Sequence, residues 1–93
     1  MYLIVAQMLG DPEAQCAGSI EGMLSRTTFP SDGLEHVYVE PTTQGSLLAM
    51  FFIAPTLRSA ESTARRLCGR MLRTHTGLTG WRLGQVVGVE GIM

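Results

Sequence analysis

His36, Tyr38 and Glu40 alternate with Val37 and Val39, so on a strand the three polar side chains share one face. An imidazole beside a phenol, set among apolar groups, can move a proton to or from a bound molecule. Strand geometry limits the trio: positions four apart lie ~13 Å from each other. His36 and Glu40 are therefore too distant to ligate one metal or to form a dyad. His36 and Tyr38, about 6–7 Å apart, can reach one ligand. The plainer reading is a polar rim on an outer strand. Trp81, which follows Gly80 at the head of the last strand, joins these three as a candidate ligand contact. A tryptophan there is more often a core plug or an interface anchor.

A second group is basic. Arg58, Arg65, Arg66, Arg70 and Arg73 fall on one side of a helix, opposite Leu57, Ala60, Ala64, Leu67, Cys68, Met71 and His75. The strip reads either as a solvated face partly paired with Glu61, or as a docking surface for an acidic protein or peptide. His75, near the helix end, reads as structural, bonding a carbonyl or favouring the helix dipole.

Other chemistries lack their residues. Cys16 and Cys68 form no CxxC pair, and with two distant histidines they make no zinc signature, so reduced thiols and no metal are expected. No P-loop, GxGxxG or nucleophile elbow occurs, and no cofactor is expected. Gly10-Asp11-Pro12 opens a helix, but a proline and two acids discourage anion binding there. Gly45 to Phe52 has aromatic residues without the basic residue or the glycine–aromatic alternation of an RNA-binding strand.

Composition narrows the class further. The 93 residues suit one domain, spanning 1–93. Seven basic residues, all arginine, against eight acidic ones give a net charge of −1, which offers no electrostatic footprint for nucleic acid. A charged content of 16% with 45% hydrophobic residues excludes a disordered tail. The longest apolar run, Leu47 to Ala54, is too short to span a bilayer, and Tyr2 to Ala6 lacks the flanks of a signal peptide. A soluble, cytoplasmic protein without a membrane partner is expected.

Six elements must position the candidates. Tyr2–Leu9 reads as a strand apolar on both faces. Asp11-Pro12-Glu13 begins a helix running to about Arg26, its buried stripe Ala14, Ala17, Ile20 and Leu24. Phe29 to Gly33 is turn chemistry, and Leu34 to Glu40 is a strand ended by Pro41. Residues 41–45 form a hairpin loop of moderate length. Leu47 to Ala54 is the third strand, apolar on both faces, and Leu57 to His75 the second helix, with Gly77 as its C-cap. Trp81 to Val89 closes the sheet, with Gly84 and Gly88 on one side and Leu83, Gln85, Val87 and Val89 on the other.

The order β-α-β-β-α-β, with two helices of this length and one tight hairpin, resembles the ferredoxin-like fold. The resemblance implies an α+β sandwich: a four-stranded antiparallel sheet with two helices on one face and the first and third strands central. Dimeric α/β-barrel proteins pair such sheets face to face, and some are cofactor-independent monooxygenases. Fold alone leaves function open.

Two helices cover one sheet face. The uncovered face collects His36, Tyr38 and Glu40 and several large apolar residues, whichever parity of the first and third strands turns outward. Burying about 600 Å² of apolar surface contributes on the order of 15 kcal/mol before association costs. The sequence therefore predicts a non-catalytic accessory or protein-interaction module, a homodimer through its sheet face. The competing expectation is a small dimeric-barrel-type enzyme or ligand binder with His36 and Tyr38 lining a pocket.

Overall fold

A computed structural model describes residues 1–11, 17–75 and 78–89. The chain is α+β, a four-stranded antiparallel sheet with two helices. Its elements are β1 (Tyr2–Leu9), α1 (Ala17–Thr27), a short 3-10 turn (Pro30–Asp32), β2 (Leu34–Thr42), β3 (Gly45–Phe52), α2 (Leu57–Thr74) and β4 (Arg82–Val89). The strand order is β2-β3-β1-β4, so β1 and β3 are central and β2 and β4 are the edges.

Even-numbered residues of the central strands face the helices. Ile4, Ala6 and Met8 of β1 and Leu48, Met50 and Phe52 of β3 are fully buried there. From α1, Ile20, Met23 and Leu24 close on them, and from α2, Ala60, Ala64, Leu67, Cys68 and Met71 do so at helical spacing. Leu78 and Trp81 seal the end of the core. Val37 and Val39 pack against this core from β2, which turns His36, Tyr38 and Glu40 outward, as their alternation requires.

α2 starts where its sequence says it should. Thr56, in extended conformation after Pro55, is the N-cap, its hydroxyl accepting from the Ser59 N–H at 3.0 Å. The expected Gly77 cap lies outside the described residues. The helix stops at His75, whose N–H bonds the Met71 carbonyl with an extended backbone, φ −112°. The start expected at Pro12-Glu13, with Ala14, also lies outside the described residues.

Three expectations about the strands need correction. Pro41 does not end β2: it pairs with Ser46 inside the strand, which costs nothing because β2 is an edge and needs no N–H on its outer side. The hairpin loop is correspondingly shorter, a two-residue turn at Thr43-Gln44, and β3 begins at Gly45 and ends at Phe52. Gly45 has φ +145°, and a Cβ there would strike the Met8 carbonyl, so only glycine fits. β4 does not keep one alternation. Ala6 pairs with Val86 but Met8 with Leu83, so Gln7 opposes two residues, Gly84 and Gln85. This β-bulge reverses the parity. Leu83, Val86 and Gly88 thus lie toward the helices, while Gly84, Gln85 and Val87 lie on the other face.

Candidate functional site: the uncovered sheet face

Strand register lays out the face that neither helix covers. One row reads His36–Phe51–Leu3–Val89 across the sheet, and the next Tyr38–Ala49–Val5–Val87. The third is Glu40–Leu47–Gln7 followed by the bulged Gly84–Gln85, and the last Thr42–Gly45–Leu9–Arg82. The two central strands contribute almost only apolar side chains, and charge is confined to the rims. Tyr38 is 64% exposed and Val87 50% exposed at opposite edges. The Tyr38 ring meets Phe51 edge-on, centroids 6.3 Å apart, which anchors the phenol to the apolar centre.

The bulge gives this face its one internal polar feature. Gln7 Oε1 accepts the Gln85 N–H at 3.4 Å, satisfying a donor that the bulge removes from the ladder. Gly84 makes this possible, since a Cβ there would lie 2.6 Å from Gln7 Oε1. A shallow cavity of about 150 Å³ results, lined by Val5, Gln7, Leu47, Gln85 and Val87. A second hollow, of about 400 Å³, sits at the end of the sheet among Leu9, Gly10, Gln44, Gly80 and Arg82. Neither His36 nor Tyr38 lines either one. Gln7 and Gln85 are not among the sequence candidates; the signals for them are a polar interruption in each apolar strand and the in-strand glycine Gly84, itself a bulge signal.

The other candidates lie elsewhere. Trp81 is buried, its indole against Gly10, where an added Cβ would run into the ring. It is a core plug, away from His36, Tyr38 and Glu40. The arginines divide. Arg70 turns inward, its guanidinium bonding the Thr27 carbonyl at 3.0 Å and Asp32 Oδ2 at 3.2 Å while stacking over Phe29 at 4.5 Å. Arg66 stands 3.9 Å from the other carboxylate oxygen and is mostly exposed. Arg65 reaches the opposite way, to the Val86 carbonyl. Arg58 and Arg73 are exposed.

Asp32, which the sequence places only within turn chemistry, holds two elements together. Its carboxylate is buried, accepts the Phe29 N–H at 2.8 Å and ties the α1–β2 connection to α2. His75 has the structural role expected of it, through a hydroxyl and not a carbonyl: its Nε2 lies 3.0 Å from Thr27 Oγ1. Thr27 already donates its proton to the Met23 carbonyl at 2.7 Å, so the imidazole Nε2 is the donor. Burial pushes the Cys68 thiol up to about 12, which removes it as a nucleophile near neutral pH. Cys16 lies outside the described residues. No helix among the described residues is long and apolar enough to cross a membrane.

No protein-family model matches the chain, and no curated protein and no solved structure matches it.

Proposed function

We propose that the chain is a ferredoxin-like domain acting as a non-catalytic interaction module, paired with a second copy through the uncovered sheet face. The order β2-β3-β1-β4, with both helices contributing to one core, supports the ferredoxin-like reading. The observation that carries the function is the face itself: Leu3, Val5, Leu47, Ala49 and Phe51 form its centre, with no charged residue among them. Four strands about 4.8 Å apart and eight residues long cover ~500 Å² in plan. Two such faces reach ~1,000 Å², the threshold for a biological interface and the low end of the size range.

A second copy suits the rims as well. Glu40 on the β2 edge and Arg82 on the β4 edge lie toward the same end of the face. A two-fold axis parallel to the strands lays β2 of one chain over β4 of the other, bringing each Glu40 toward the opposing Arg82. Analytical ultracentrifugation at micromolar concentration tests this. A dimer that Val5→Glu or Phe51→Glu converts to a folded monomer is expected; a wild-type monomer near 10.1 kDa would sink the reading.

One observation favours a second reading, a ligand-binding or enzymatic dimer. The 150 Å³ cavity opens onto this face and would be roofed by the partner. His36 and Tyr38 reach such a ligand only if it extends across β3 to the β2 edge. The exposed Arg58, Arg66 and Arg73 form the solvent-facing part of an acidic-partner surface; their replacement by glutamine, unlike that of Arg70, should weaken such binding without loss of stability.

A further inference from the structure

The two edges of the sheet are managed differently. β2 carries Glu35, Glu40 and Pro41, all of which discourage an added strand. β4 has neither charge nor proline from Leu83 to Val89, and beyond the bulge at Gly84–Gln85 the run Val86-Val87-Gly88-Val89 is regular and apolar. Such a strand, left open, pairs with its own kind.

Its outer edge is closed on either side of Val87. The Gly88 N–H donates to Glu61 Oε2 at 2.9 Å, and Arg65 donates from its guanidinium to the Val86 carbonyl at 3.4 Å. These two backbone groups flank Val87 and are the pair an incoming strand would engage. The spacing fits: positions four apart on a helix rise ~6 Å, and positions two apart on a strand rise ~6.6 Å. Glu61 therefore stands opposite Gly88 when Arg65 stands opposite Val86, the helix running antiparallel to the strand. Gly88 lets α2 come this near, since a Cβ there would lie 2.7 Å from Leu57 Cδ1 and 3.1 Å from Glu61 Oε2.

We propose that Glu61 and Arg65 act as a surrogate fifth strand that holds the β4 edge shut, and that the strand they exclude is β4 of a second copy. One acceptor and one donor replace the backbone of a neighbour, which blocks edge-to-edge pairing at Val87. The inference does not rest on the face dimer, because it concerns mass gained relative to wild type, whatever the wild-type mass is.

The test is the full chain with Glu61→Ala and Arg65→Ala together, followed by sedimentation velocity over a concentration series. The variant is expected to show a concentration-dependent series of larger species that the wild type lacks, with its circular dichroism retained. Glu61→Gln with Arg65→Lys, which keeps an acceptor and a donor, should restore the wild-type distribution. Should the double alanine variant fail to fold, Glu61→Ala alone is read by hydrogen exchange, where the Gly88 amide should exchange about tenfold or more faster. A folded double variant with the wild-type mass distribution, or a Gly88 amide exchanging at the wild-type rate, overturns the proposal.

Discussion

Replacing Asp32 by alanine should cost far more than its place in a three-residue surface turn suggests. Its side chain is only 4% exposed, and the carboxylate accepts from the Phe29 N–H at 2.8 Å and Arg70 at 3.2 Å. Removing it leaves a backbone donor unpaired and strips the counter-charge from a guanidinium that is itself 21% exposed. Breaking a buried pair costs ~3–5 kcal/mol, and the partial exposure of Arg70 places this case at the lower end, ~3 kcal/mol. Arg70→Ala removes the same pair and the contact over Phe29, but Asp32 keeps its backbone donor and Arg66, so ~2 kcal/mol is expected. Arg66, 58% exposed and 3.9 Å away, should cost under ~0.5 kcal/mol on removal. Urea unfolding of the two single alanine variants and the Asp32/Arg70 double variant gives the coupling, expected at ~1–2 kcal/mol. A melting point lower by roughly 12–24 °C for Asp32→Ala is the thermal counterpart for a domain of this size. Equal losses for Arg66 and Arg70, or less than ~1 kcal/mol for Asp32→Ala, would refute the division of the arginines into an internal clamp and a solvent-facing remainder.

Three further outcomes are expected. Gly10→Ala drives a methyl group into the Trp81 indole and should destabilise by ~2 kcal/mol or more, whereas Gly22→Ala, in helix α1 with only the tip of Arg26 nearby, should be neutral or slightly stabilising; the two denaturation curves decide it. Reversing Glu40→Arg or Arg82→Glu should each weaken the dimer by about 2- to 30-fold, and both together should restore it, as read by sedimentation equilibrium; no rescue would exclude the strand-parallel axis. In a Cys16→Ser background, Cys68 should resist alkylation at pH 8 in the folded protein and react promptly in denaturant, because burial holds its thiol protonated up to about 12; rapid labelling of the native chain would contradict this.

The elements were legible because they depend on local pattern. Branched residues from Tyr2 to Leu9 and the apolar stripe from Ala60 to Met71 are read within a few residues of themselves, and β1 and α2 fall where expected, whereas β2 runs on to Thr42 and β3 occupies Gly45–Phe52. The outward turn of His36, Tyr38 and Glu40 was legible for the same reason, since polar and apolar residues alternate in β2. The outward parity of β1 and β3 was not: both their faces are apolar, so period two carries no preference, and only the helices packing on Ile4 and Met50 choose. Gly84 hinted at the bulge, but its partner Gln7 is 78 positions from the Gln85 amide that it satisfies. The helical wheel placed five arginines together, yet Arg70 belongs to Asp32, 38 positions away, and Arg65 to β4.

The sequence by itself thus determined the number, type and order of the elements and the scarcity of charge on one sheet face, because periodicity and composition act locally. Tertiary structure alone decided which apolar side chains remain uncovered, where Gln7 and Gln85 shape a hollow among them, and how Glu61 and Arg65 close one edge. Those depend on register and on contacts between distant segments, where a one-residue bulge reverses every later side chain.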